Sequence, residues 1–286
     1  MADSRSMPRL RRRGVALPHR GRWLTWFAVG LLVLLLVGCL AATWAAPADP
    51  TAQSGERFAG ASLSHPFGTD ELGRDLFSRA LYGGRLTFLI AGGATAVAML
   101  VGTLWGMGAA FLGGLLDELL MRVADTLMAI PQILFALVFV AAFEPTPWRL
   151  ALIVGVLLTP TTARMVRSTV LTELQDDYVA AAVAYGAPRR QLLLHEVLPN
   201  IRGQLGVQAA INGANAILVE ASLSFVGLGI QSPEATWGTL VQQGYQRIYQ
   251  SMGYLLFPAA LIFVTIWMLN LLADQLGGQD PRGRAA

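Results

Sequence analysis

From Trp23 to Ala46 the chain runs for 24 residues without a charged side chain. A helix rises about 1.5 Å per residue, so about 20 apolar residues cross a hydrocarbon core of about 30 Å. Inside hydrocarbon the backbone must satisfy its own hydrogen bonds, which a helix does. Five further apolar segments follow, at Leu86–Phe111, Leu119–Phe143, Leu150–Val166, Leu205–Leu228 and Leu255–Ala273. The expected fold class is all-α, a polytopic membrane protein with six transmembrane helices. Composition agrees: 14% of the 286 residues are charged and 54% are hydrophobic, whereas a soluble domain carries about 25% charged residues. A soluble enzyme and a disordered chain are both excluded. A cleaved signal peptide competes only for the first run. That run exceeds the usual signal core of about 7–15 residues, and Pro47 would flank a cut after Ala46.

The arginines orient the chain. Arg5, Arg9, Arg11, Arg12, Arg13, Arg20 and Arg22 crowd the first 22 residues. The positive-inside rule puts residues 1–22 in the cytoplasm. Six spans then return the tail, residues 277–286, to the same side. Arg122, Arg164, Arg167, Arg189, Arg190, Arg202, Arg282 and Arg284 also fall inside, against Arg57, Arg74, Arg79, Arg85, Arg149 and Arg247 outside. Residues 23–276 form one transmembrane domain, with an external segment at 47–85 and a cytoplasmic loop at 167–204.

Several chemistries are excluded. The single cysteine, Cys39, rules out an internal disulfide and a cysteine-based zinc site. All 21 basic residues are arginine. A P-loop needs the lysine of G-x-x-x-x-G-K to reach nucleotide phosphates, so any ATP-driven work requires a partner to hydrolyse the ATP. No catalytic residue, metal ligand or cofactor is expected, and nothing indicates nucleic acid. His65, Asp70, Glu71 and Asp75 lack a ligand spacing and are read as caps and solvated charges. Leu276-Gly277-Gly278-Gln279 matches an ATPase signature by coincidence, because no P-loop accompanies it. Arg122 and Asp125 are read as a local i,i+3 ion pair.

The cytoplasmic loop has internal design. Glu173, Asp176 and Asp177 make an acidic start, favourable at a helix N-terminus. Ala180, Ala181, Ala182 and Ala184 are strong helix formers with little bulk. Gly186 permits a turn, and Pro188 suits the first turn of a second helix that would end near Pro199. The expectation is a helical hairpin at the inner face. It either docks a cytoplasmic partner or caps the helix bundle, and the residues alone leave both open.

The order Ala181-Ala182, then Gly186, then Leu198-Pro199-Asn200 resembles the "EAA" loop of binding-protein-dependent ABC importer permeases. Asp177-Tyr178-Val179 resembles the peptide-transporter branch of that family. Two positions depart from the pattern: Ala180 stands where the family usually has glutamate, and His195-Glu196 displaces the histidine that usually precedes the LPN. The resemblance implies a type I ABC importer permease fold, with Asp177, Tyr178, Ala181, Ala182, Gly186, Leu198, Pro199 and Asn200 in the loop that couples to the ATPase.

Two other segments carry the same resemblance. The outer HPFGTDELGRDLFSRALYGGRLTFL, His65–Leu89, reads as a turn at Gly68-Thr69-Asp70 and an amphipathic helix on the membrane, with Arg74, Asp75 and Arg79 on its solvated face. It resembles the second permease subunit of dipeptide and oligopeptide importers. EASLSFVGLG followed by TWG, Glu220–Gly238, resembles the same peptide and nickel permease group. Asn215, Glu220, Ser222 and Ser224 lie at membrane depth on a span of small residues. A charge there is costly, by about 3 kcal/mol, so Glu220 faces either the translocation path or a helix interface.

The expected function is a permease subunit of an ATP-driven peptide importer. The implied partners are a homologous permease, two P-loop ATPase subunits, an extracytoplasmic peptide-binding protein and membrane lipid, in a bacterial inner membrane. Nickel or metal-chelate import is the alternative within the family. An ion-coupled carrier needs titratable groups at mid-membrane, and Glu220 is nearly the sole candidate. An intramembrane enzyme ranks last, because no Ser/His/Asp set falls inside the spans.

Overall fold

A computed structural model describes residues 21–53 and 55–278. The readings made above for residues 1–20 and 279–286 fall outside them. Among the described residues the regular structure is helical, apart from an isolated bridge between Thr69 and Asp75. In chain order the helices are α1 (Gly21–Leu40), α2 (Ala42–Ala45), α3 (Leu76–Leu112), α4 (Gly114–Ala129), α5 (Gln132–Ala142) and α6 (Pro147–Glu173). The inner stretch holds α7 (Asp177–Ala184), α8 (Arg189–Gln191), a π-helical turn (Leu192–Val197) and α9 (Leu198–Asn200). α10 (Arg202–Phe225), α11 (Trp237–Gln246) and α12 (Met252–Gly277) complete the chain.

Among the described residues, four helices are long and apolar enough to cross a membrane: α1, α3, α6 and α12. α10, at 24 residues, has the length, but Gln204, Gln208, Asn212, Asn215 and Glu220 lower its hydropathy. The expected third span, Leu119–Phe143, is not one straight helix: α4 and α5 meet at 85°. The break lies at Ile130-Pro131, where both residues are extended (ψ 127° and 123°). Proline has no amide to donate and disfavours helical geometry in the residue before it.

The main core lies where α3, α5, α6 and α10 meet. Ile90 and Ala94 of α3 pack with Leu150 and Val154 of α6, Ala136 of α5 and Ile217 of α10. Glycines set the α3–α6 spacing. A Cβ added to Gly102 would stand 2.6 Å from Thr162 Cβ, and one on Gly155 would stand 2.7 Å from Val97 Cβ. Lipid is as apolar as leucine, so helices in a membrane associate through close packing and buried polar bonds. One such bond runs from Asn212 Nδ2 of α10 to Thr162 Oγ1 of α6 at 2.9 Å, and Gln208 Nε2 donates to Asn212 Oδ1 at 3.0 Å. The periphery exposes Trp26 and Leu34 of α1, Leu100 and Leu104 of α3, and Phe263 and Trp267 of α12, as expected of surfaces that face lipid.

α4 is tied to α6. Arg167 Nε and Nη2 each reach Asp117 at 2.5 Å, and Arg164 pairs with Asp125. The expected Arg122–Asp125 pair does not form. Asp125 reaches across to α6, and Arg122 pairs instead with exposed Glu118 one turn back, at 3.4 Å.

The outer segment also differs from expectation. Leu76–Arg85 is not a separate surface helix but the first part of α3. Asp75, rather than Asp70, caps it, with Oδ2 accepting from Ser78 N at 2.7 Å. Arg74, Asp75 and Arg79 are buried rather than solvated. Burial is possible because each has a close polar partner: Arg74 Nε and Arg79 Nη1 donate to Asp70 Oδ2 at 2.6 and 2.5 Å, and His65 Nδ1 lies 2.9 Å from Asp75 Oδ1.

Candidate functional site

The hairpin begins where α6 ends. Tyr178 OH donates to Glu173 Oε1 at 2.7 Å, which fixes the corner between α6 and α7. α7 ends at Ala184, and Gly186, two residues on, has a φ of +82°. Gly186 N donates to Val183 O at 2.9 Å, and Ala187 N donates to Ala182 O at 3.1 Å. These two bonds form a Schellman motif, which needs a left-handed residue where Gly186 stands. A side chain there meets no atom within 4 Å, yet the left-handed backbone costs a non-glycine residue about 1–2 kcal/mol.

The hairpin has one anchored side and one free side. Val179, Leu192, Leu193 and Val197 are buried against Met107 of α3 and Val166 and Val170 of α6. Tyr178, Ala182 and Leu198 pack against the same cluster. Asp177, Ala181, Val183, Tyr185, Gly186, Pro199 and Asn200 are exposed, and Tyr185 is 93% exposed. Force applied to the free side of α7 therefore reaches α3 and α6 through packed side chains.

The second arm ends at Asn200, one residue past Pro199. It widens into the π-helical turn, in which Leu198 N donates to Leu193 O, and winds on through Leu198–Asn200. Pro199 lacks the N–H for an α-helical bond to the His195 carbonyl, and the wider turn accommodates its ring. Ile201, fully buried, then joins the arm to α10.

α10 carries the other candidate residues. Glu220 is 1% exposed, and its Oε1 accepts from Ser224 Oγ at 2.6 Å and Thr236 Oγ1 at 2.7 Å. Glu220 Oε2 has no hydrogen-bond partner among the described residues. Ser222 Oγ donates to Leu218 O at 2.7 Å, and Asn215 is exposed. Glu220 and Ser224 thus meet at a helix interface, while Asn215 and Ser222 stand apart from it.

Thr236 was missed as a partner of Glu220. It caps α11 in a reciprocal box with Thr239. Beside it, Trp237 Nε1 donates to Ala80 O at 2.8 Å, and Trp237 N donates to Thr87 Oγ1 at 3.1 Å. A Cβ on Gly238 would stand 2.7 Å from Ala221 Cα. The Thr-Trp-Gly segment therefore clamps α10 to the first part of α3, and its capping pattern was the available sequence signal.

Residues 77–278 match the family model described as "Binding-protein-dependent transport system inner membrane component". The chain belongs to this family. The permease is 36% identical over 256 residues to the "Probable D,D-dipeptide transport system permease protein DdpC" of Escherichia coli (strain K12), covering 89% of this chain and 86% of the relative. It is 35% identical to the "Di/tripeptide transport system permease protein DppC" of Pseudomonas aeruginosa (strain UCBPP-PA14), covering 88% and 86%. The "Oligopeptide transport system permease protein OppC" of Haemophilus influenzae is 34% identical over 77% of this chain and 71% of the relative. Among solved structures, the inward-facing MetNI methionine ABC transporter aligns with a TM-score of 0.55, covering 70% of this chain and 94% of that chain at 19% identity. The permease therefore has the all-α fold of a type I ABC importer permease and is a multi-pass inner-membrane protein.

Proposed function

We propose that the permease is one half of the translocation pathway of an ATP-driven importer of di- or oligopeptides. It works beside a homologous permease, two P-loop ATPase subunits and an extracytoplasmic peptide-binding protein, in contact with membrane lipid. It performs no covalent chemistry. Both termini are cytoplasmic, residues 47–85 are external, and α7 with its Gly186 turn docks on an ATPase subunit. The peptide reading rests on relatives that are peptide permeases, and no relative named above favours nickel or metal chelates. Glu220, engaged at a helix interface, lends no support to an ion-coupled carrier.

The observation that carries this reading is the two-sided hairpin. An exposed helix of small residues fits a groove in a partner, and its buried side transmits movement to α3, α6 and, through Ile201, to α10. Closure of the ATPase pair on ATP would shift α7 and rock these helices between inward- and outward-facing states. Replacing Gly186 with leucine should leave insertion intact while reducing ATP-driven peptide uptake at least several-fold in proteoliposomes holding the full assembly. Unchanged uptake in that variant would count against α7 as the coupling element.

A further inference from the structure

A cavity of about 400 Å³ opens beside the outer end of α3. That lies within the range of small-molecule sites, about 300–1,000 Å³. Leu86, Leu89 and Ala235 give it apolar walls, and Tyr82, Arg85 and Glu234 bring polar groups to it. Arg79 also borders the cavity, but its guanidinium is committed to Asp70, Tyr254 and Gln243. Arg85 and Glu234 are exposed, and neither has a hydrogen-bond or ion-pair partner among the described residues.

The walls are held in place. Gly83 lets the 233–235 segment approach α3 closely, since a Cβ there would stand 3.1 Å from Ala235 O. Trp237 then fastens the same segment to Ala80 and Thr87 on α3. One uncommitted cation and one uncommitted anion thus border an apolar hollow between two fixed walls.

We propose that this cavity is a low-affinity site for a zwitterion, and specifically for a dipeptide arriving from the external face. Arg85 takes the α-carboxylate in a two-pronged contact, Glu234 takes the α-ammonium, and Leu86 and Leu89 meet a side chain. Arginine suits this role because its planar fork matches a carboxylate. The inference rests on the peptide-importer reading, and it adds a substrate-binding role for this subunit's own residues. A zwitterionic lipid headgroup shares the chemistry and must be distinguished.

The test uses the full assembly in proteoliposomes, with Leu86→Cys as a reporter for maleimide labelling. Cys39 is buried, so the unsubstituted permease supplies the background. Alanyl-alanine at millimolar concentration should slow labelling several-fold, and N-acetyl-alanyl-alanine amide should not. Adding Arg85→Gln or Glu234→Gln should abolish the protection. Three results overturn the proposal: no protection, equal protection by both peptides, or protection that survives both glutamine variants. Labelling that follows phosphatidylethanolamine content and ignores the dipeptide also overturns it, in favour of a lipid site. ATP-driven alanyl-alanine uptake by the unsubstituted assembly is measured in parallel. Its absence condemns the peptide reading itself, whereas uptake without protection condemns only this site.

Discussion

Arg79 Nη1 donates to Asp70 Oδ2 at 2.5 Å, with both side chains buried. The bond closes the outer segment onto the start of α3. The same guanidinium reaches Tyr254 OH of α12 at 3.2 Å and Gln243 of α11 at 3.1 Å. Asp70 also accepts from Arg74, so two buried cations share its one negative charge. Removing one partner of a buried pair leaves an uncompensated charge and costs about 3–5 kcal/mol. Asp70→Asn keeps the shape and loses the charge. Its thermal midpoint in detergent should fall well below that of the unsubstituted protein. An unchanged midpoint would mean that the cluster contributes nothing to holding the outer end together.

Glu220 makes a different prediction. Its Oε1 accepts two hydroxyl bonds while its Oε2 stays unpartnered. An amide can accept the same two bonds, so Glu220→Gln should stay within about 1 kcal/mol of the original stability. Glu220→Ala removes the acceptor for Ser224 and Thr236 and opens a void, costing about 2–4 kcal/mol. Thermal unfolding of the two variants separates the cases. Equal damage from both would show that the negative charge, rather than the bonds, is needed.

Two glycines on α3 test the close packing. A Cβ at Gly106 would stand 2.9 Å from Arg167 N and Val166 Cβ, while one at Gly108 meets nothing within 4 Å. Overpacking costs about 1–3 kcal/mol or more. Gly106→Val should therefore prevent accumulation of folded permease in membranes, and Gly108→Val should accumulate normally. Similar yields of the two proteins would contradict the α3–α6 contact.

The hairpin and most of the spans were legible in the sequence because their causes are local. Gly186 followed by Pro188 announces a turn, and uncharged runs announce membrane helices. The 85° break at Ile130-Pro131 was also local, but average hydropathy across Leu119–Phe143 concealed it. Arg74 and Arg79 looked like a solvated face because helical spacing says nothing of partners far along the chain, and Tyr254 lies 175 residues from Arg79. Glu220 left two readings open for the same reason. Its deciding partner, Thr236, sits 16 residues on and beyond the end of α10.

The proposed function puts the free side of α7 against an ATPase subunit. Tyr185, at 93% exposure the most prominent side chain of that turn, is the place to test it. A photoreactive benzophenone amino acid at position 185, activated in native membranes, should yield one main adduct. Its second chain should be a P-loop ATPase, and the adduct should weaken or strengthen when ATP is added. An adduct that forms only with lipid or with a second copy of the permease, and is indifferent to ATP, would rule out this docking and leave the hairpin as a cap on the helix bundle.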